Sequence, residues 1–161
     1  MGLHIAVPAK RIWIRRIPVL YFGSMPSSAA LFLVEDSLSD VDLLKSAFDE
    51  IGFAVDFTMF HEGEPAIASI DGLAVGGQRP DLVMLDLNLQ RISGIALLFR
   101  IRTLPAWAGQ AVVLYSTSNH PVDRQRCLDA GADEYLVKPA SFDGLLTMTR
   151  HLRDRWLTNR N

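Results

Sequence analysis

The 161-residue chain has a single cysteine, Cys127, and its apolar stretches are short. One thiol excludes a disulfide framework and a cysteine-based zinc site within one chain, and it is typical of a reducing compartment. No apolar run approaches the roughly 20 residues of a membrane span. The run over residues 17–22 is interrupted by Pro18 and is too short for a signal peptide core. We therefore expect a cytoplasmic protein without a membrane partner.

The chain also lacks the glycine-rich motifs that bind nucleotide phosphates. No G-x-G-x-x-G follows the first apolar run, and no G-x-x-x-x-G-K-[ST] occurs anywhere. These motifs supply the usual backbone cradles for pyrophosphate and nucleoside triphosphates. Dinucleotide binding and P-loop chemistry are therefore not expected.

Basic residues are scarce beyond the first 24 positions. Those positions contain Lys10, Arg11, Arg15 and Arg16 and no acid, whereas the remainder holds 12 basic and 18 acidic side chains, a net charge of −6. This balance argues against nucleic acid as a partner of the folded part. Residues 1–28 show no sustained helical or strand period and contain three prolines, which predicts a disordered basic arm. One explanation of this arm is that translation begins at Met25, so that most of the arm is not made. The alternative is that the arm targets the protein or binds anionic surfaces.

From residue 29 onward the sequence alternates between strand and helix patterns. Short continuous apolar runs are typical of strands that are covered on both faces, and the segments between them have apolar residues at helical spacing. Predicted strands cover residues 31–34, 55–60, 82–85, 111–115 and 134–137, and predicted helices cover residues 39–51, 62–74, 92–104, 121–130 and 141–156. Ser39 is the expected cap of the first helix. Right-handed crossovers then predict one α/β domain over residues 29–157, a doubly wound five-stranded parallel sheet, with a tail over 158–161.

Polar side chains follow four of the five apolar runs. Glu35 and Asp36 follow the first run, Asp86 the third, Ser116 the fourth and Lys138 the fifth. Because parallel strands direct their carboxyl ends to one crevice, we expect these side chains to meet there. Three carboxylates repel one another unless a cation neutralises them, and Mg²⁺ prefers carboxylates, water and phosphate oxygens. With an ammonium group and a hydroxyl beside it, the set fits phosphoryl transfer.

The motifs LVEDS, LVMLDLNL, VVLYSTS and AGADEYLVKP, with their spacings, resemble the receiver domains of two-component response regulators over residues 29–156. The resemblance implies a flavodoxin-like (βα)5 fold with strand order 2-1-3-4-5. It implies that Asp86 accepts a phosphoryl group from a histidine kinase. It also implies a set of Mg²⁺ ligands made of Glu35, Asp36, Asp86 and the backbone carbonyl of Asn88.

The same resemblance implies a conformational switch. Ser116 takes the place of the switch Thr or Ser of the family, and Lys138 binds the phosphoryl group. Tyr135 is the implied aromatic switch residue, which enters from the surface the space that Ser116 vacates. The bond between Lys138 and Pro139 is implied to be cis, and proline is the residue before which a cis bond costs little. The protein would thus be a phosphoacceptor switch rather than an enzyme with an external substrate.

The last predicted helix carries an apolar stripe at helical spacing, made of Leu145, Met148, Leu152 and Trp156. Part of this stripe is expected in the core, and Trp156 is the candidate anchor for a partner or a homodimer. The residues after this helix are too few for an output domain, so we expect the signal to leave through such an interface. The sequences RDRWLT and LDLNL resemble stand-alone receivers associated with phytochrome-type histidine kinases.

Two other functions remain open from the sequence. A receiver-shaped binding module that is never phosphorylated would lose Asp86 or Lys138 freely, and this chain has both. A haloacid-dehalogenase-like phosphatase also uses an aspartyl nucleophile, but it requires an acid two residues on, where this chain has Asn88. We therefore predict a single-domain response regulator.

Overall fold

The computed structural model of the chain describes residues 28–158. Residues 1–27 of the predicted arm and residues 159–161 of the predicted tail lie outside this range. The strands are β1 (Ala29–Val34), β2 (Val55–Phe60), β3 (Leu82–Asp86), β4 (Val112–Ser116) and β5 (Glu134–Val137). The helices are α1 (Leu38–Glu50), α2 (Gly63–Gly76), α3 (Gly94–Thr103), α4 (Pro121–Asp129) and α5 (Phe142–Leu152). A 3₁₀ turn at Pro105–Trp107 follows α3, and a π-helical turn at Arg153–Leu157 follows α5.

The five strands form one parallel sheet in the order β2-β1-β3-β4-β5, which confirms the predicted fold. The register aligns the carboxyl ends of the central strands. Val34 at the end of β1 lies opposite Leu85 in β3, and Asp86 at the end of β3 lies opposite Tyr115 in β4. Glu35, which follows β1, is therefore at the same level of the sheet edge as Asp86, the last residue of β3.

Helices cover both faces of the sheet, and successive residues of each strand alternate between the two cores. In β1, Leu31 and Leu33 belong to the core on the face that α1 and α5 cover, whereas Phe32 and Val34 belong to the core beneath α2 and α3. All residues of β3 and β4 are buried. In residues 28–158, none of the helices has the length and apolarity that crossing a membrane requires.

Helix α1 begins one residue earlier than the sequence predicts. Ser37 caps it, because its Oγ accepts a hydrogen bond from the backbone N–H of Asp40 at 3.3 Å. The prediction that Ser39 is the cap is therefore wrong; its hydroxyl lies 3.0 Å from that of Ser37 instead. Both serines precede the apolar stripe at plausible cap positions, and only the fold selects between them. The earlier start matters for the site, because it determines where the first turn directs Asp40.

The apolar stripe of α5 faces the core of the monomer. Leu145, Met148 and Leu152 are buried with α1 and the sheet, which confirms that part of the stripe lies in the core and leaves these three residues without the exposure that a dimer face requires. The physical reason is that an amphipathic helix at the side of a sheet needs its apolar face to cover that sheet. Trp156 is half-buried against the same core, and its indole N–H donates to Glu134 Oε2 at 2.8 Å.

Arg102, in the last turn of α3, ties this helix to two loops. Its Nε donates to the carbonyl oxygen of Gly131 at 2.9 Å, one terminal nitrogen donates to the carbonyl of Gln110 at 2.8 Å, and the other pairs with Asp133 at 2.8 Å. The Asp133 carboxylate also accepts the backbone N–H of Val112 at 2.7 Å. The guanidinium group thus holds the entries to β4 and β5 together.

We expect Arg102→Ala to lower the free energy of unfolding by about 2–3 kcal/mol, because it leaves part-buried carbonyl groups without a donor. Arg100 offers a matched control on the same helix, since its ion pair with Asp71 is exposed on both sides. Arg100→Ala is expected to cost less than about 1 kcal/mol. Urea unfolding of both variants measures the difference, and equal losses would contradict the role assigned to Arg102.

Candidate functional site

The crevice at the carboxyl ends of the central strands contains three acids from the ends of two strands. Asp86 is the last residue of β3, and Glu35 and Asp36 directly follow β1. One carboxylate oxygen of each lies within 4.8 Å of the others. Glu35 and Asp86 are buried, whereas Asp36 is half-buried. The structure therefore brings together the acids that the sequence places far apart.

Lys138, which follows β5, reaches into this acidic crevice. Its Nζ donates to Glu35 Oε2 at 2.7 Å, to Asp40 Oδ2 at 2.8 Å and to Asp86 Oδ2 at 3.2 Å. The ammonium group also lies 5.1 Å from the ring centroid of Tyr115. The contacts of Lys138 with Glu35 and Asp86 are those that the sequence predicts, and the contact with Asp40 is additional.

Asp40 is that additional acid, and the sequence analysis did not place it in the site. A carboxylate in the first turn of a helix is normally explained by the positive end of the helix dipole. The only signal in the sequence is that Asp40 follows Glu35 within a single loop and helix turn. Its contact with Lys138 became visible only in the fold.

The peptide bond between Lys138 and Pro139 is trans, since residues 28–158 contain no cis peptide bond. The prediction of a cis bond is therefore wrong. The trans form is favoured before proline by about 0.5–1 kcal/mol, and in this form the Lys138 side chain already reaches the carboxylates. The backbone N–H of Lys138 also donates to the carbonyl oxygen of Ser116 at 2.7 Å, which fixes this segment against β4.

The charges of the crevice are not balanced by its own residues. Burial raises the pKa of Glu35 to about 7; the hydrogen bond from Lys138 opposes this rise, and the charge of Asp86 adds to it. For Lys138, burial alone would lower the pKa, but the hydrogen bonds to Asp40 and Glu35 outweigh burial and raise it. Four carboxylates, those of Glu35, Asp36, Asp40 and Asp86, thus lie near a single ammonium group. A further positive charge in the crevice would reduce the repulsion among them.

A hard divalent cation fits this donor set. Carboxylate oxygens on Glu35, Asp36 and Asp86 are ligands of the type that Mg²⁺ prefers, and the cation usually keeps several waters beside one or two carboxylates. The backbone N–H of Asn88 donates to Asp86 Oδ1 at 3.0 Å, which orients the carboxylate. The carbonyl of Asn88 as a fourth ligand stays a prediction.

Ser116 and Asn88 form the floor of the crevice beside Asp86. Ser116 is fully buried, and its Oγ accepts hydrogen bonds from Asn88 Nδ2 at 3.3 Å and from the backbone N–H of Ser118 at 3.2 Å. Its hydroxyl hydrogen is therefore available for an acceptor in the crevice. Sequence reasoning identified both residues but not the hydrogen bond between their side chains.

Tyr135 lies inside the protein rather than on its surface. Its side chain is 2% exposed, and its hydroxyl donates to the carbonyl oxygen of Ser118 at 2.8 Å. The expectation that the ring enters from the surface is therefore wrong for this structure, because the ring already fills the space between β5 and the loop after β4. Its role as a switch residue stays a prediction.

A cavity of about 250 Å³ opens beside Asp36. It is lined by Asp36, His61, Glu62, Gln90 and Arg91. The ring nitrogen Nδ1 of His61 lies 2.9 Å from the carbonyl oxygen of Glu35, which braces the loop that presents both acids. The sequence analysis assigned no function to this histidine, and its packing role follows only from the fold.

Gly94, at the start of α3, packs directly against the backbone of Asp86. A Cβ at this position would lie 2.2 Å from the carbonyl oxygen of Asp86. The N–H of Gly94 also donates to the carbonyl oxygen of Leu87 at 3.2 Å. The absence of a side chain thus permits α3 to begin immediately beneath the site.

Comparison with known proteins agrees with the fold and the crevice. The family model of the response regulator receiver domain matches residues 31–150. The probable methanogenesis regulatory protein FilR2 of Methanothrix harundinacea is 30% identical over 129 residues, which cover 79% of this chain and 83% of that protein. The transcriptional regulatory protein TcrA of Mycobacterium tuberculosis is 34% identical over 129 residues, and these span 80% of this chain but 47% of TcrA, about half its length.

Among solved structures, the phosphorylated cyanobacterial phytochrome response regulator RcpA superposes with a TM-score of 0.74 at 28% sequence identity. The superposition covers 84% of this chain and 98% of that one. The matched family model covers the whole sheet apart from the first two residues of β1, together with the acids and the lysine of the crevice. This chain therefore belongs to the family of response regulator receiver domains.

Proposed function

We propose that this protein is a response regulator receiver that accepts a phosphoryl group onto Asp86 from a histidine kinase and signals through a change of conformation. One observation carries the proposal: the Asp86 carboxylate lies beside two further acids and the ammonium group of Lys138 in one crevice. The similarity to the phytochrome response regulator RcpA supports a kinase of the phytochrome type as the partner.

The side chain of Asp86 is oriented for nucleophilic attack. Its Oδ1 accepts the N–H of Asn88, and its Oδ2 accepts Lys138 Nζ. A bond forms between an Asp86 oxygen and phosphorus as the bond from phosphorus to the kinase imidazole nitrogen breaks, which leaves an acyl phosphate. When bound, Mg²⁺ supplies positive charge to the phosphoryl oxygens, and Glu35, Asp36 and Asp86 would hold it.

The acyl phosphate would change the hydrogen bonds on the floor of the crevice. A phosphoryl group adds strong acceptor oxygens and negative charge. The Ser116 hydroxyl donates to one of these oxygens, and a movement toward it weakens the bonds from Asn88 and Ser118. Because Tyr135 is bound to the carbonyl of Ser118, the change reaches β5 and the loop before α4.

The direct test is incubation of the protein with acetyl phosphate and Mg²⁺, followed by intact mass spectrometry. We expect the mass gain of one phosphoryl group with Mg²⁺, and none when EDTA replaces it. No gain under any condition would contradict the proposal and favour a binding module that is not phosphorylated. Phosphate release in large molar excess over protein, without a labelled species, would favour the phosphatase alternative. Size measurement of both forms tests homodimerisation, whose surface must lie outside the buried stripe of α5.

We expect Mg²⁺ to stabilise the protein without any phosphodonor. A ligand that binds only the folded state at 100 times its dissociation constant adds about 2.7 kcal/mol to the free energy of unfolding. Asp36→Asn removes one proposed ligand and should reduce the upward shift of the melting temperature. Asp42→Asn is the control, because this acid lies exposed on α1 and outside the crevice. Equal shifts in the wild type and in Asp36→Asn would contradict the assignment of Asp36.

A further inference from the structure

The ammonium group of Lys138 has no free hydrogen-bond donor in this structure. It carries three N–H donors and no acceptor, and Glu35, Asp40 and Asp86 each accept one of them. The distances to Glu35 and Asp40, 2.7 and 2.8 Å, are typical of charge-assisted hydrogen bonds. The distance to Asp86 is 3.2 Å, the longest of the three. The ammonium group is therefore held more tightly on the side of β1 and α1 than on the side of Asp86.

The three carboxylates differ in what it costs to release Lys138. The side chain of Asp40 is 31% exposed, against 2% for Glu35 and 7% for Asp86. Removing Lys138 from Glu35 would leave a buried carboxylate uncompensated, which is costly. Water can take the place of the ammonium group at Asp40, because this carboxylate is partly solvated. Asp40 is thus the partner that Lys138 can exchange most easily.

We propose that Asp40 is a positioning residue that holds the ammonium group of Lys138 on the α1 side of the crevice, where its hydrogen bond to Asp86 is the longest of the three, until a phosphoryl group arrives. The inference rests on the proposed function, because the phosphoryl oxygens are the acceptors that compete with Asp40 for the third N–H donor. Phosphorylation would therefore exchange one hydrogen bond of Lys138, from Asp40 on α1 to the modified Asp86 on β3. By competing for Lys138, Asp40 lowers the affinity of this lysine for the phosphoryl group. When Lys138 leaves Asp40, the contact between α1 and the segment after β5 is lost.

The first experiment tests the hydrogen bond between Lys138 and Asp40 in the metal-free protein. The chain has three lysines, Lys10, Lys45 and Lys138, so lysine labelled with ¹⁵N gives few ammonium signals in an NMR spectrum. In Asp40→Ala, we expect hydrogen exchange of the Lys138 ammonium group to be at least about threefold faster, because the ammonium group loses one charge-assisted hydrogen bond. Lys45 provides an internal reference. Asp42→Ala removes an exposed acid from the same helix and should change nothing.

An unchanged exchange rate in Asp40→Ala would overturn the proposal, and so would equal increases in both variants. This measurement needs neither Mg²⁺ nor phosphorylation. It therefore decides whether Asp40 holds Lys138 even if the proposed function fails. Thermal unfolding of each variant checks that the fold is intact.

The second experiment measures the affinity of the protein for beryllofluoride, a phosphoryl mimic, with Mg²⁺ present. We expect Asp40→Ala to bind it about 2- to 5-fold more tightly, which corresponds to the upper part of the range for a partly exposed ion pair. Asp42→Ala should match the wild type. A structural role for Asp40 alone would give weaker binding in Asp40→Ala, and that result would overturn the proposal.

A double-mutant cycle with Lys138→Ala separates positioning from the general charge of the crevice. If Asp40 acts through Lys138, Asp40→Ala has no effect in the Lys138→Ala background. An equal gain in both backgrounds would show that only the pocket charge matters, which overturns the proposal. Absence of beryllofluoride binding in the wild type would count against the proposed function itself, and the NMR result then decides the inference.

Discussion

Asp86→Asn is expected to abolish the phosphoryl mass gain with acetyl phosphate and Mg²⁺, down to the detection limit of intact mass spectrometry. The amide keeps the shape of the side chain, and its oxygen still accepts the N–H of Asn88, but it is no longer an anionic nucleophile. The acceptor oxygen that faces Lys138 is also lost if the amide nitrogen takes that side. The expected loss is therefore complete rather than partial.

The same substitution should not destabilise the protein. It removes one of the three carboxylates that pair with the ammonium group of Lys138, so like-charge repulsion in the crevice decreases. Without Mg²⁺, the melting temperature of Asp86→Asn is expected to equal or exceed that of the wild type. Asp42→Asn is the control and should keep the mass gain. If Asp86→Asn gains a phosphoryl group to the same extent as the wild type, and peptide mapping locates the group on another residue, then Asp86 is not the acceptor.

Gly94→Ala is expected to lower the free energy of unfolding by about 3 kcal/mol, the upper part of the usual range for an inserted methyl group. The new Cβ would meet the carbonyl oxygen of Asp86 at 2.2 Å and its carbonyl carbon at 3.0 Å. These atoms belong to the backbone of β3, which is paired with β1 and β4 on both sides and cannot yield. Either α3 moves away or β3 is distorted at the site.

Gly72 provides the matched control, because it also lies in a helix but a Cβ there would have no neighbour within 4 Å. Gly72→Ala should stabilise α2 by about 0.5–1 kcal/mol, since alanine has the higher helix propensity. Urea unfolding compares the two variants. If Gly94→Ala is as stable as the wild type and is phosphorylated at the same rate, the close packing beneath Asp86 contributes neither to stability nor to the geometry of the site.

The architecture could be predicted because each of its signals is local. Continuous apolar runs mark buried parallel strands, and helical spacing marks the segments between them. These signals predicted β2 at residues 55–60 and β5 at residues 134–137 with the bounds that the structure shows. They also predicted that the acids after β1 and β3 meet, because parallel strands with right-handed crossovers end at one edge.

The predictions that were wrong concern choices between locally equivalent alternatives. Ser37 and Ser39 are both good caps, and only the packing of α1 selects Ser37. A helix stripe such as that of α5 fits a core as well as a dimer face, and the uncovered face of the sheet decides for the core. A proline admits both isomers of the preceding bond, and an aromatic residue such as Tyr135 is compatible with burial and exposure alike.

By itself, the sequence determined the parallel sheet and the acids and lysine at the strand ends, since hydrophobic periodicity sets the strand boundaries and chain connectivity directs those ends to one crevice. The strand order was implied by the resemblance to receiver domains. Only the tertiary structure decided which partner each charge has. Asp40 and Lys138 are 98 positions apart and meet at 2.8 Å, because a hydrogen bond depends on distances of tenths of an ångström that no spacing along the chain specifies.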